Sequence, residues 1–293
     1  MRELPILSSY FGPFAVSTWE LLPVIEAATR KQAYTFMDKD AYDALVHSQP
    51  ERAQAIYWRE MIMRIHLACC ASLLRHREWL NTLLTAIEGD NLFGTYAAYR
   101  GFLESAADAV YSLAPVPKTL APGLALIRAR IKEKPTDTVI ISKELEDRLI
   151  HFTHGRKVDR NEIADPIHAA KQIRDYLEGL KHLGVKDVHA LYSELCSITH
   201  PSAESVAVWF DGVKEQDEVV WRRTEAEPRV LIEKFLTHWK ETNEGVFNAA
   251  FVPVFMSLRL LHKIDFLPKI PELKSFSLEN FPAWKMIERQ ITK

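Results

Sequence analysis

Apolar residues recur at intervals of three, four and seven along most of the chain, which is the spacing of one face of an α-helix. The longest such pattern follows Pro50, where Ile56, Met63 and Leu67 fall on one face and Gly89 ends the run. It predicts either one long helix or two helices in line. The same spacing predicts further helices over about residues 17–37, 38–49, 91–114, 124–132, 142–154, 166–184, 187–200 and 228–264.

In the segments SVAVWFDG and DEVVWRRT, which a polar turn separates, apolar and polar residues tend to alternate instead. This period of two predicts one small β-hairpin near residues 205–224. Pro- and aromatic-containing segments predict an extended lead-in over residues 1–16, a connector over 115–122 and an irregular tail after Pro268. The predicted fold class is therefore all-α, a predominantly helical bundle with one hairpin. It forms a single large domain over residues 1–293, with a subdivision into 1–114 and 123–293 as the alternative.

Composition narrows the function classes. The formal net charge is −2 and the pI about 6.6, so binding to nucleic acid must depend on a local basic patch. The three cysteines are the adjacent Cys69 and Cys70 and the distant Cys196, a spacing that predicts reduced thiols in a cytoplasmic protein. We predict no membrane span and no export signal, because no apolar run approaches about 18 residues. Metal-ligand and phosphate-loop motifs are missing from the sequence, so we predict neither a metal nor a cofactor.

Candidate chemistry lies where two predicted helices end on a histidine followed by a chain-breaking residue. The first helix contains RLIHFTH, in which His151 is three residues from both Arg148 and His154, and Arg156 and Lys157 follow. One helix face can therefore gather imidazole and guanidinium groups. Neutral histidine can accept the 2′-hydroxyl proton of RNA, and arginine can stabilise charge on phosphate. The alternative is a solvated basic helix end that complements its own dipole.

The second helix ends in THPS, which places His200 and Ser202 on either side of Pro201. The alternative is that His200 bonds locally and Pro201 only terminates the helix. Arg100 and Glu104 are four residues apart in an otherwise apolar helix, so they form either a structural ion pair or the partner that orients a histidine.

RLIHFTH in a helical bundle resembles the HEPN superfamily (higher eukaryote and prokaryote nucleotide-binding domains), in which four to six residues separate an arginine from a histidine. Arg59 and His66 also fall within this range. The combination of YRGFLES with ELCSITHPS resembles a group of bacterial helical proteins related to it. The resemblance covers about residues 90–205. The position after Arg148 is Leu149, where the family usually has a polar residue.

The resemblance implies a metal-independent ribonuclease or a nucleotide-binding protein of a prokaryotic defence or toxin system. It implies RNA or nucleotide as a partner, and a homodimer, because such sites are commonly shared by two chains. The resemblance implies that Arg148 would steady the phosphate and that His154 would serve in proton transfer. From the residues themselves we add His200 and Glu104 as expected catalytic residues. The substrate-binding residues we expect are Arg100, His151, Arg156, Lys157 and Ser202. Two alternatives stay open: a non-catalytic helical subunit that binds a protein partner, and a helical enzyme acting on a small molecule.

Overall fold

The computed structural model of the chain describes residues 3–134, 139–159 and 161–291. Most of them are helical, and their only sheet is one antiparallel hairpin, which confirms the predicted fold class. The helices are α1 (Glu3–Phe11), α2 (Pro13–Thr29), α3 (Lys39–Ser48), α4 (Pro50–Glu88), α5 (Leu92–Leu113), α6 (Pro115–Leu120), α7 (Leu124–Ile131), α8 (Lys143–His154), α9 (Ile173–His182), α10 (Val188–Thr199), α11 (Ala203–Ala207), α12 (Pro228–His238), α13 (Lys240–Leu261), α14 (Glu272–Ser275) and α15 (Pro282–Ile291). Short 3₁₀ turns occupy Ala121–Gly123 and Pro166–His168.

The long apolar pattern after Pro50 forms one continuous helix, α4, rather than two in line. The lead-in prediction was wrong, because residues 3–11 are helical and α2 begins at Pro13. The connector was also predicted wrongly, since Pro115 and Pro117 lie in α6. In each case a proline occupies the first turn of a helix, where its missing N–H leaves no hydrogen bond unmade.

The hairpin consists of β1 (Phe210–Glu215) and β2 (Glu218–Arg223), and Gly212 pairs with Trp221 in the antiparallel register. Its predicted beginning was too early, because residues 203–207 form α11. Ser202 caps that helix in a capping box with Ser205: Ser202 Oγ accepts from the Ser205 backbone N–H at 3.2 Å.

The described residues belong to two compact units of interleaved segments. The first unit contains Met1–Thr18, Arg75–Ala107 and Ile173–Ala250. The second unit contains Trp19–Leu74, Asp108–Gln172 and Phe251–Lys293. Helices α2, α4, α5 and α13 each contribute residues to both units. Whether the whole chain acts as a single domain stays a prediction.

The core of the first unit is built on aromatic side chains from distant parts of the sequence. The rings of Phe11 and Tyr99 lie 5.9 Å apart, and those of Phe102 and Phe247 6.2 Å apart, all fully buried. The Tyr99 hydroxyl donates to Asn243 Oδ1 at 2.5 Å. This bond satisfies polar groups that would be costly to bury unpaired, so it fixes α5 against α13 within the unit.

In the second unit, α4 holds the segment that leads into α8. Trp58 Nε1 donates to the Ile140 carbonyl at 3.1 Å, and the Tyr57 hydroxyl accepts from the Ser142 N–H at 3.1 Å. The Ser142 side chain, predicted as a cap, makes no capping hydrogen bond to the described residues of α8. Gly155 ends α8 as predicted, and its N–H donates to the His151 carbonyl at 2.7 Å.

Two stretches, Leu92–Ile131 and Lys240–Leu261, are long and apolar enough to cross a membrane by length and composition. In their most apolar windows, 50% of the first and 78% of the second are buried inside the protein. Core helices of soluble proteins have the same character, so these stretches are weak evidence for membrane insertion.

Candidate functional site

Five side chains of the first unit form a connected cluster at the end of α10. We name it the Arg100–His200 cluster; it consists of Arg100, Glu104, Tyr192, Thr199 and His200. Arg100 and Glu104 lie one turn apart on α5, whereas Tyr192 and Thr199 lie on α10 and His200 directly follows it. Helical periodicity brings positions four apart to one face, so each helix presents its members of the cluster to the other.

Arg100 is the centre of the hydrogen bonds in this cluster. Its Nε donates to Glu104 Oε1 at 3.1 Å, and its Nη1 donates to Thr199 Oγ1 at 3.3 Å. The same Nη1 lies 2.9 Å from His200 Nε2. The Tyr192 hydroxyl donates to Glu104 Oε1 at 2.8 Å. Each member is therefore oriented by at least one other member.

The contact between Arg100 and His200 assigns the form of the imidazole. A guanidinium has five N–H donors and no acceptor, so Nε2 of His200 must accept. The ring is then neutral, with its proton on Nδ1. A neutral imidazole whose Nε2 carries a lone pair has the form that general-base catalysis requires.

The electrostatics of the cluster keep Arg100 charged in a partly open position. Burial lowers the pKa of Arg100, but the Glu104 hydrogen bond and charge outweigh this and raise it above its usual value. Burial and the hydrogen bond to Glu104 also raise the pKa of Tyr192. The Arg100 side chain is 30% exposed and His200 is exposed, so an anion in solvent can reach both.

Neighbouring contacts hold α10 in place for this cluster. Trp239 Nε1 donates to Glu194 Oε2 at 2.8 Å, and the Tyr96 hydroxyl donates to Glu194 Oε1 at 3.4 Å. His200 takes an extended conformation as the C-cap, and its N–H donates to the Cys196 carbonyl at 3.0 Å. The helix therefore ends at the point where the imidazole meets Arg100.

Ser202 makes local hydrogen bonds in the structure, and its predicted binding of substrate stays a prediction. Its hydroxyl donates to the Ser197 carbonyl at 2.5 Å and caps α11. These contacts fix the turn that carries His200.

The predicted residues of α8 lie in the second unit and have local partners. Arg148 donates from Nη2 to Glu144 at 2.9 Å and from Nη1 to the Tyr111 carbonyl at 2.8 Å. Its guanidinium also lies 4.7 Å from the centre of the Tyr111 ring. Its donors are therefore directed to protein groups along α8 and to Tyr111.

The histidines of α8 differ in exposure. His151 is buried, and its Nδ1 donates to the Ile167 carbonyl at 2.7 Å. Its predicted binding of substrate stays a prediction. His154 is exposed; its Nδ1 lies 2.7 Å from Thr153 Oγ1, and its ring lies 5.7 Å from that of His168. The His151 ring is therefore enclosed by protein, whereas the His154 ring is open to solvent.

The basic residues after α8 are both exposed. Arg156 forms an ion pair with Glu162, which raises the pKa of Arg156 and lowers that of Glu162. Lys157 is exposed to solvent.

The structure thus brings together Arg100, Glu104 and His200, and it places Arg148, His151, His154, Arg156 and Lys157 in the other unit. Sequence reasoning missed Tyr192 and Thr199. A signal for the tyrosine was present, because Tyr192, Cys196 and His200 recur every four residues.

The second pair with the HEPN-like spacing, Arg59 and His66, lies in the second unit. His66 is buried, with its Nδ1 2.6 Å from the Tyr34 hydroxyl. Burial and the nearby His262 lower the pKa of His66 to about 4. Arg59 packs its guanidinium against the Phe266 ring at 5.8 Å. These contacts indicate a packing role.

Among residues 3–134, 139–159 and 161–291, no group of three or more His, Cys, Asp and Glu side chains is placed to hold a metal ion. No protein-family model, curated protein or solved structure matches this chain.

Proposed function

We propose that this chain is a metal-independent ribonuclease whose site is the Arg100–His200 cluster. The observation that supports the proposal is the contact between Arg100 Nη1 and His200 Nε2, 2.9 Å long and open to solvent. It pairs a permanent cation with a neutral imidazole. These are the two groups that RNA cleavage without a metal requires.

In the proposed reaction, a phosphate of RNA replaces His200 as the acceptor for the Nη1 donor of Arg100. Nε2 of His200, now free, accepts the proton of the adjacent 2′-hydroxyl. The 2′-oxygen forms a bond to phosphorus, and the bond from phosphorus to the 5′-oxygen breaks. Water protonates the leaving 5′-oxygen, and the hydroxide that remains takes the proton back from Nε2 of His200. The products are a cyclic 2′,3′-phosphate and a 5′-hydroxyl, and the imidazole is neutral again.

Glu104 and Tyr192 are proposed as positioning residues. Glu104 holds Nε of Arg100 at 3.1 Å and is itself held by Tyr192 at 2.8 Å. Arg100 therefore keeps its direction when its Nη1 moves to phosphate. Preorganised charge of this kind stabilises a transition state without reorganisation during the reaction.

The resemblance to HEPN proteins adds further parts to the proposal. We propose that the chain is cytoplasmic, that it acts in a prokaryotic defence or toxin system, and that it forms a homodimer. Light scattering tests the last part directly, because a dimer has twice the mass of one chain at all working concentrations above its dissociation constant.

The experiment is cleavage of single-stranded RNA by the pure protein in EDTA, with analysis of product ends. We expect cyclic 2′,3′-phosphate ends from the wild type and none above background from His200→Ala at an unchanged melting temperature. His182→Ala is the control, since His182 is an exposed histidine in the last turn of α9 in the same unit. Intact RNA with the wild type would contradict the proposal. The alternative, a non-catalytic subunit, predicts that result together with a stoichiometric protein partner.

A further inference from the structure

One face of the β-hairpin combines aromatic and basic side chains. Alternation along a strand and pairing across it place six residues on this face, which we call the hairpin face: Phe210, Gly212, Lys214, Val219, Trp221 and Arg223. All six are exposed. The structure thus leaves two aromatic rings and two cations on one open surface in the first unit.

Trp221 presents its ring as a platform. It is 60% exposed, and its ring atoms lie where a Cβ on Gly212 would meet them at 3.4 Å. The indole therefore lies over the glycine of the neighbouring strand, and its other π-face is open to solvent. Phe210 on the same face is 43% exposed. Open aromatic faces of this kind stack on nucleic-acid bases.

Charge is divided between the two faces of the hairpin. Within the described part of the chain, Lys214 and Arg223 have no ion-pair partner. The acidic residues Asp211, Glu215 and Glu218 lie on the opposite face, where Arg222 pairs with Glu215. The hairpin face is therefore the kind of local basic patch that an acidic chain needs for a polyanion.

The hairpin is attached to the helix that carries Arg100. The ring of Trp209, directly before β1, stacks on Phe93 of α5 with centres 6.0 Å apart. The Trp209 carbonyl also accepts from the Thr224 N–H at 2.9 Å, which closes the base of the hairpin. Phe93 precedes Arg100 by two helical turns, or about 10 Å along α5. A short single strand can therefore span the distance from the hairpin base to the cluster.

We infer that the hairpin face binds single-stranded RNA by stacking bases on Trp221 and Phe210 and pairing phosphates with Lys214 and Arg223. This inference rests on the proposed ribonuclease function and extends it, because it says how substrate is held beside the Arg100–His200 cluster. A protein partner fits less well, since protein interfaces deplete lysine at their centre.

The test is fluorescence anisotropy with a labelled 2′-O-methyl RNA of ~10 nucleotides, a length within the range that single-strand binding sites cover. Its blocked 2′-oxygen prevents cleavage, so binding is measured alone. We expect Trp221→Ala to weaken binding about tenfold, the value of one stacked base. Val213→Ala, on the opposite face, is the control and should bind as the wild type does.

Charge provides a second, independent variant. Lys214→Gln combined with Arg223→Gln should make the negative slope of log affinity against log salt shallower by about 1.4, since each phosphate contact on a single strand contributes about −0.7. Both variants should keep the circular dichroism spectrum of the wild type. Equal affinity and salt slope in all variants would overturn the inference.

The outcomes separate the two proposals. Hairpin-dependent binding without cleavage of natural RNA would refute the ribonuclease and leave the inference standing. Cleavage with an unchanged KM in Trp221→Ala would refute the inference alone. Sedimentation showing that Trp221→Asp dissociates a dimer, with RNA affinity unchanged, would identify the hairpin face as a protein interface and also overturn it.

Discussion

The ends of α8 and α10 look alike in sequence and differ in structure. The last residue of α8 is His154 and the residue that caps the end of α10 is His200, and Gly155 or Pro201 comes next. At the end of α10, His200 meets Arg100, which comes from a helix a hundred residues earlier in the sequence. At the end of α8, His154 contacts Thr153 beside it and His168 in the following turn.

The difference shows what a spacing motif within one helix can specify. Arg148 and His154 are six residues apart, which turns the helix by about 240° at 3.6 residues per turn. Their side chains therefore leave the axis in different directions and find separate partners. Arg100 and His200 share no motif, but the packing of α5 on α10 brings them into hydrogen-bond contact.

The largest expected effect is the difference in RNA cleavage rate between substitutions of the two histidines, His200 and His154. Loss of a general base commonly costs 10²–10⁴-fold in rate, so we expect His200→Ala to reduce RNA cleavage by at least about 10²-fold. His154→Ala should stay within about threefold of the wild type, since the contacts of that histidine are with Thr153 and His168, outside the Arg100–His200 cluster. Single-turnover rates for both variants make the comparison, and equal losses would show that both helix ends belong to one site.

A second prediction concerns two buried histidines, one from each unit. Burial lowers the pKa of His76 in the first unit to about 3 and of His66 in the second to about 4. In the unfolded chain each titrates near 6.5, so between pH 6.5 and 4 the unfolded state binds protons that the folded state does not. Stability is therefore full above pH 6.5 and falls with decreasing pH.

At pH 5 the proton uptake of unfolded His66 lowers the free energy of unfolding by about 2 kcal/mol relative to neutral pH. Between pH 7.5 and pH 5, the free energy of unfolding of His66→Gln should fall by about 2 kcal/mol less than that of the wild type. Urea unfolding at the two pH values measures this difference. His47→Gln, an exposed histidine of α3, is the control and should keep the wild-type pH dependence. If the free energy of unfolding depended on pH in the same way in His66→Gln and His47→Gln, the lowered pKa of His66 would be refuted.

The next prediction compares two ion pairs with the same four-residue spacing. Glu104 holds Arg100 and also accepts from Tyr192, whereas Glu144, 80% exposed in its side chain, holds Arg148 on the surface. We expect Glu104→Gln to lower kcat about tenfold, the value of about 1.4 kcal/mol of transition-state stabilisation.

Glu144→Gln should leave kcat unchanged, because exposed pairs contribute little. The KM for RNA and the melting temperature should stay close to wild-type values in both variants. A loss in Glu104→Gln that followed its melting temperature would instead indicate a purely structural pair.

The smallest expected effect is a difference in the free energy of unfolding between substitutions of Gly155, after α8, and Pro201, after α10. A Cβ on Gly155 would lie 2.6 Å from the His151 carbonyl oxygen, so Gly155→Ala must displace backbone. We expect it to lower the free energy of unfolding by about 1 kcal/mol. Pro201→Ala should cost only about 0.5 kcal/mol through the entropy of the unfolded chain. Chemical denaturation measures both, and a larger loss for Pro201→Ala would reverse the comparison.

The sequence was sufficient for the fold class because periodicity is a local property. Apolar spacing predicted α4, and strict alternation predicted the hairpin around Gly212 and Trp221. Prolines misled the prediction at Pro13 and Pro115, since a proline marks the beginning of a helix as readily as a break.

The site was less predictable, because the residues that meet are far apart in sequence. Arg100 and Glu104 were recognised as a pair that either forms an ion pair or orients a histidine, and His200 as an exposed helix end. Nothing in their spacing indicates that these groups meet, because the contact depends on how α5 and α10 pack. Tyr192 was missed for the same reason, although its four-residue interval to His200 was visible.

The interleaving of the two units has a consequence for how the chain is made. Each unit draws on three separate segments, so no single proteolytic cut or shortened gene yields either one whole. During synthesis, the first unit lacks its last segment until the ribosome has passed Ala250. Arg100 is synthesised a hundred residues before His200, and a nascent chain therefore carries no assembled cluster until the ribosome has passed His200.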